Sequence, residues 1–509
     1  MAVHRDHEVV VLGGGPAGCA AAILLARRGH DVALVRPTAP PAGALAESIP
    51  PSAGKLLTEL DVLADLERSG FQRNGGNTVW WAGAGARTGT FEEGRTGFHV
   101  DRAGLEVILG SVARRAGVQV HPASARSADE SEGWVVRCDA EDGPAVDLRA
   151  PWVLDATGRR GLIATREGRE PDRSTTTLAL VRRWKREGGF EGVESTHTLV
   201  ESYGDGWAWS VPLGPEVRCL TAMIDQRRAE IPGSNLDAAL DAELDEAPHI
   251  GAVRAGARPV GPAWACPASL YTAAGFGRPG LLLVGDAGSF IDPLSSFGVK
   301  KALSSGWLAA VTVHTALVDP RMEDTAVRFF DGRERDVYRQ YRARSADFFE
   351  TCAEAYGHEY WTSRATAARL AGGGFPVRVD ADDLDGDMVP LEEARAALER
   401  IRARPSLDAV RGTSVRAVER PTVVGHRIML VEHLASDRAP QGLRYVRNVD
   451  LGRVVEVATR HAEVPDGWAA YNTRAPAVPL PDYLAALATA FAAGLLEHAG
   501  EPPRGASSE

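Results

Sequence analysis

Lysine is nearly absent from this 509-residue chain. Of its 57 basic residues only Lys55, Lys185, Lys300 and Lys301 are lysines, so chemistry that needs a primary amine has few places to come from. Cysteine is sparse too. Cys19, Cys138, Cys219, Cys266 and Cys352 are scattered without C-x-x-C spacing, which indicates neither a zinc site nor a disulfide framework. Positive charge is not in surplus: 68 acidic residues bring the net charge to −11, a poor footprint for gripping nucleic acid. No apolar run is long enough to span a membrane, since the longest, Leu484 to Leu496, covers 13 Ala-rich residues against the roughly 20 required. The opening MAVHRDHEVVVLGGG runs into a strand without a charged n-region or cleavage site, so a reduced, cytoplasmic location is expected. With 44% hydrophobic and 25% charged residues, the chain reads as globular, with about three structural units.

What is present begins at once. Glu8 to Leu12 (EVVVL) is a continuous apolar run of the buried parallel-strand kind. GGGPAG (Gly13 to Gly18) follows, then an Ala-rich helix, CAAAILLARRG, and a second strand, DVALV. This is one βαβ unit with G-x-G-x-x-G spacing. Gly13 permits the tight turn, Gly15 lets the backbone approach a pyrophosphate, and Gly18 lets helix and strand pack closely. The helix N-terminus, with Ala17 in its first turn, offers N–H groups and partial positive charge to phosphates. The acid that usually ends the second strand and binds a ribose is replaced by Arg36. Arg36 could face a 2′-phosphate, as in NADP, or be a solvated strand-end charge with the ribose held by another group.

Two later segments favour FAD. WVLDATGRRG (Trp152 to Gly161) is a buried strand ending Asp155-Ala156-Thr157-Gly158. LLLVGDAGSFIDPLSSFGVKKALSSG (Leu281 to Gly306) is a strand ending Gly285-Asp286, then a turn, then a helix opening near Gly298 and Val299. A strand-end carboxylate accepts hydrogen bonds from hydroxyls, so Asp155 is expected to face a second ribose. The helix after Pro293 is expected to aim its N–H groups at an electron-rich ring edge.

These motifs, in this order, resemble the FAD-dependent group A monooxygenases and the related flavin-dependent halogenases over residues 5–375. The resemblance implies FAD as cofactor, with GDAGSFIDP supplying Asp286 to the ribityl and ribose region and Pro293 beside the ring. Asp101-Arg102 before an amphipathic helix looks like the family's flavin-contacting arginine. ALAESIPPS (Ala44 to Ser52) resembles the halogenase G-E-S-x-x-P loop, with Ala46 for Gly and with Ser48 as a cofactor contact. GWAWSVPL (Gly206 to Leu213) matches the halogenase W-x-W-x-I-P signature at Trp207, Trp209 and Pro212. On a strand both Trp point to one face, where they wall a cavity or pack a sheet against a helix. The family's halogen-carrying lysine lies in F-x-x-K-x-G-x-x-x-x-W. Here the segment reads Phe71-Gln72-Arg73-Asn74-Gly75-Gly76 through to Trp81, so Asn74 stands at the lysine position. A guanidinium such as that of Arg73 stays protonated and is a poor substitute for the amine. Lys300 and Lys301 sit in a phrase that resembles the flavoproteins of tryptophylquinone biogenesis. There a lysine could hold the flavin or a phosphate, or be a solvated helix residue.

The fold expected is α/β: a doubly wound, Rossmann-type FAD domain of the group A flavoprotein kind, with an inserted antiparallel substrate sheet and a C-terminal winged-helix-like module. Residues 1–375 form the FAD domain with insertions near 70–100 and 165–275, 376–395 the linker, and 396–509 the module. Tyr356, Tyr360 and Trp361 form an aromatic helix stripe that could line the cavity, with core packing as the default. Residues 411–460 carry nine Arg against five acids, but interleaved with apolar strands, so the module reads as packing or docking a peptide rather than DNA. The resemblance implies reaction of reduced FAD with O₂ to a C4a-hydroperoxide and hydroxylation of an electron-rich indole, phenol or pyrrole, free or bound to a peptide or carrier. Catalytic candidates are Asn74, Trp207, Trp209 and Pro293. Halogenation is the alternative, with alkene reduction and a non-catalytic flavin-binding partner as further ones. NAD(P)H or a separate flavin reductase would supply electrons. No metal, nucleic-acid or membrane partner is expected.

Overall fold

Val9–Leu12 carries apolar residues on both faces, a pattern that suits a strand covered on both sides, and all four are completely buried. It lies inside a nine-stranded sheet of the computed structural model, which describes residues 3–39, 45–92, 95–172, 175–227, 235–372, 389–474 and 476–500. Val32–Arg36 pairs with it in parallel on one side and Trp152–Asp155 on the other. Gln119–Ser131 and Leu281–Leu283 extend the parallel core outward. Strand order therefore steps both ways from Val9–Leu12, which opens a crevice at the carboxyl ends of the strands.

Pro16–Arg27 is a helix because Pro16 at its first turn forfeits only an N–H that would be unpaired anyway, and Ala and Leu follow. It packs tightly on Gly298–Val318: a methyl on Gly306 would overlap the Ala17 carbonyl oxygen, so only glycine allows the two backbones this approach.

The second sheet has seven strands, ordered Ala257–Pro267, Thr177–Arg186, Val217–Asp225, Gly206–Pro212, His197–Tyr203, Gly76–Trp80 and Arg87–Thr90. It was expected to be antiparallel throughout. One pair departs: Gly76–Trp80 runs parallel to His197–Tyr203, because the two come from segments about 120 residues apart rather than from a hairpin. Side chains alternate between faces. Val181, Trp207 and Met223 pack with Phe349, Tyr360 and Trp361 of the helices Glu323–Tyr356 and Glu359–Gly372. Leu180, Ala208 and Leu220 pack on the other side with Leu240, Leu244 and Ile250. The first long helix stops at Gly357, whose φ of +64° forms the left-handed cap.

The chain divides into two compact units, Met1–Val377 and Arg378–Glu509. In the second, helices Leu391–Arg402, Leu451–Ala458, Val464–Tyr471 and Leu480–Ala492 surround a core that includes Leu451, Val454, Tyr483 and Leu487. A hairpin, Arg416–Val424 with Arg427–Ala435, turns at Gly425. The linker reading of 376–395 falls largely outside the described residues, and its end is corrected: helix starts at Leu391, after Pro390 and with Glu392 and Glu393 in its first turn. Among the described residues no helix is long and apolar enough to cross a membrane.

Candidate functional site

The glycine loop is shaped by contacts that tolerate no side chain. Gly13 adopts φ +101° and a methyl there would overlap the Ala156 carbonyl; one on Gly18 would overlap the Gly13 carbonyl. Gly15 caps the helix in extended conformation without any side-chain cap, and no acid lies in the first turn. The first N–H groups of the helix are thus left for an anion. A Cβ on Gly15 would come 3.2 Å from the Arg102 guanidinium, so a cation also borders the loop. These features suit a dinucleotide pyrophosphate.

Arg36 is buried, which corrects the solvated-charge alternative. Its stem crosses Gly14, and its guanidinium donates to the Glu106 carbonyl at 3.0 Å beside Gly110. Asp155 also needs correction. One of its oxygens accepts from the N–H and hydroxyl of Thr157, at 3.1 and 2.6 Å; the other accepts from the N–H groups of Ile163 and Ala164, at 2.7 and 3.0 Å. The side chain is fully buried, and its roughly four acceptor sites are filled by protein. It pins the turn that follows its strand instead of facing a ribose.

Gly15, Ala17, Gly158, Asp286, Pro293 and Gly298 line one side of a cavity of about 450 Å³. Val299 and Gly285 lie behind it: Val299 is buried, and Gly285, at φ +65°, abuts Ala17. Pro293 opens a short turn in which Asp292 accepts the Leu294 N–H, and the Gly298–Val318 helix starts just beyond. Arg102 crosses one end, bonded to Glu106 at 2.9 Å and Glu47 at 3.1 Å. Burial works against its charge, but Glu47, Glu106 and Asp286 together hold its pKa above the ordinary value. Burial pushes the Glu47 carboxyl up.

The opposite wall comes from the second sheet. Trp207 and Trp209 both line the cavity, with ring centroids 5.0 Å apart. Trp207 also meets Trp81 edge to face, and Trp81 meets Trp361 likewise, so the wall is continuous with the aromatic core. Tyr360 and Trp361 are buried there, bonded to the carbonyls of Met223 and Tyr203. Tyr356 donates to the Ser202 carbonyl.

Asn74 is buried but is not a cavity-lining residue. Its Nδ2 donates to Ser48 Oγ at 2.8 Å, and its Oδ1 accepts the Gly76 N–H at 3.0 Å. Ser48 does line the cavity, with Asn74 one bond behind it. None of the four lysines lines it either. Lys185 pairs with Glu216, and Lys300 donates to Ser52 Oγ at 2.9 Å. Lys301 ties the Gly285 and Ser289 carbonyls and lies 3.5 Å from Asp286. The last two are buried, which corrects the solvated-helix alternative for both. Glu47, Arg159, Thr198 and Cys266 line the cavity without having been singled out. Glu47 lies in the A-E-S segment and Arg159 just after Asp155-Ala156-Thr157-Gly158, whereas Thr198 and Cys266 carry no sequence signal beyond strand alternation.

A glycine-loop crevice, two further strand-end loops and a cavity shared with an inserted sheet define a flavoprotein with a Rossmann-type FAD-binding domain. The tryptophan halogenase family model matches residues 82–370, more than half of the chain, and the chain belongs to that family. The model of glucose inhibited division protein A matches residues 8–66. The chain is 28% identical over 405 residues to the tryptophan 2-halogenase of Chondromyces crocatus, covering 76% of each. The crystal structure of CmlS, a flavin-dependent halogenase, superposes with a TM-score of 0.75 at 22% identity, covering 97% of this chain and 96% of that one. The peptidyl tryptophan dihydroxylase QhpG, essential for tryptophylquinone cofactor biogenesis, superposes at 0.63 and 23% identity, covering 91% and 95%.

Proposed function

We propose that this chain is a FAD-dependent monooxygenase of the halogenase-like branch that hydroxylates an electron-rich aromatic ring. The observation that carries the reading is the missing amine. A halogen carrier must be a positioned, reactive amine, yet no lysine lines the cavity and the Asn74 amide is committed to Ser48 and Gly76. An amide is an uncharged and weaker hydrogen-bond donor than an ammonium.

The glycine loop, Arg102, Asp286 and the start of the Gly298–Val318 helix would hold FAD, which when reduced activates oxygen. The protein's part is placement. Trp207 and Trp209 offer flat apolar faces to a ring, and the buried core behind them excludes water. Reduced flavin would come from NAD(P)H directly or from a separate flavin reductase, in a cytoplasmic setting. The substrate is a free aromatic or one borne on a peptide or carrier.

Halogenation is the second reading, favoured by family membership and by the paired Trp wall. The test supplies reduced flavin, oxygen and candidate aromatics with and without bromide, and weighs the product. Gain of oxygen regardless of halide is expected. A brominated product, lost on changing Lys55 or Lys300, would overturn hydroxylation.

A further inference from the structure

One hydrogen-bond chain beside the cavity is wired in a single direction. Ser48 Oγ, at the cavity wall, receives the Asn74 Nδ2–H at 2.8 Å and the Thr198 hydroxyl proton at 3.3 Å. The amide cannot be the other way round, because its Oδ1 takes the Gly76 N–H. Thr198 has one proton and gives it to Ser48, so the 3.0 Å contact between Thr198 Oγ1 and His99 Nε2 needs Nε2 to carry the hydrogen. His99 is then the Nε2–H tautomer, which agrees with its Nδ1 being buried without a partner. Burial, helped by nearby Arg218 and His197, pushes the His99 pKa down to about 3, so the ring stays neutral.

The consequence falls on Ser48. A hydroxyl has two lone pairs and one proton, and both lone pairs are occupied. Nothing among the described residues accepts the proton, while Ser48 itself lines the cavity. The chain His99, Thr198, Ser48 therefore ends in a donor presented to whatever fills the cavity.

We propose that Ser48, in place of the cofactor contact that the resemblance implied, is a specificity-determining residue whose hydroxyl donates a hydrogen bond to an acceptor oxygen on the substrate ring, favouring oxygen-bearing rings over rings whose polar group is only an N–H. This rests on the reading of the cavity as an aromatic-substrate site. An indole or pyrrole N–H would face a second donor and leave both unpaired, whereas a phenolic or carbonyl oxygen completes the chain. Leaving such a buried donor unmatched costs roughly 10- to 100-fold in affinity.

The test uses the full-length protein with oxidised FAD bound. It is titrated with 2-naphthol and with indole while the flavin absorbance is followed, and the flavin-to-protein ratio is measured for each variant. Ser48→Ala should weaken 2-naphthol about 10- to 100-fold, bind indole as tightly as the wild type or more tightly because the unmatched donor is gone, and leave the flavin ratio unchanged. Thr198→Val should weaken 2-naphthol in the same sense, and Thr198→Ser should restore it. Equal losses for both rings, no loss for either, or loss of flavin from Ser48→Ala would overturn the proposal. If the wild-type holoprotein binds neither ring, the aromatic-site reading beneath it falls, and the proposal with it. None of these outcomes depends on whether oxygen or halogen is transferred.

Discussion

Replacing Asp155 by Ala separates a loop-pinning carboxylate from a ribose-binding one. The carboxylate accepts four protein hydrogen bonds, two from Thr157 and one each from Ile163 and Ala164. Its removal strands three backbone N–H groups in a fully buried spot, while the Thr157 hydroxyl can rotate elsewhere. Each stranded donor costs about 1–3 kcal/mol, and partial relaxation brings the sum to about 3–5 kcal/mol. The unit Met1–Val377 has an unfolding entropy of roughly 0.8 kcal/mol per kelvin at typical per-residue values, so the melting temperature should fall by about 4–6 °C. The assay is thermal unfolding by circular dichroism of flavin-stripped protein, where no ribose is present. Asp155→Asn should recover only part of the loss, since one carbonyl oxygen serves one pair of donors and the NH₂ opposes the other pair. An unchanged melting temperature in Asp155→Ala, combined with weakened FAD binding, would refute this account.

Glu334, buried on the long helix, is held up to about 7 by burial, against the pull of Lys301. Its raised folded-state value contributes stability that is full below the unfolded value near 4.5 and is lost as pH rises through 7. Glu334→Gln should therefore melt like the wild type at pH 4 and be more stable by about 3 kcal/mol at pH 8; equal differences at both pH values would contradict this. Gly18→Ala places a methyl on the Gly13 carbonyl, which is backbone and cannot swing aside, so flavin affinity should drop at least about tenfold in an equilibrium titration.

Much of the fold was readable because its signals are local. A continuous apolar run such as Val9–Leu12 suits a strand covered on both faces, and the glycines after it mark a turn no other residue can make. Period two set Trp207 and Trp209 on one face before the cavity was known. What sequence hid depends on distant closure. Asp155 has the look of a ribose ligand until the turn back to Ile163 and Ala164 brings its donors round. Arg36 reads as a strand-end charge, but its stem lies over Gly14, a resting place visible only once the βαβ unit is folded. Ser48 lies in the A-E-S segment that resembles a halogenase loop, but His99 and Thr198 come from segments up to 150 positions away, and no motif links the three.

The alternation of the second sheet also sets what can change in this protein over evolutionary time. Along Gly206–Pro212 the odd positions Trp207, Trp209 and Val211 look into the cavity, while Ala208 looks outward into a separate apolar cluster and Ser210 holds the buried Arg218. Ala179, Val200 and Met223 on neighbouring strands add to the same inner face. Substitution at these inner positions recontours the chamber and the aromatic core behind it while leaving the outer cluster untouched. One strand thus faces two different neighbours, the cavity with its aromatic core on one side and the Leu240 cluster on the other.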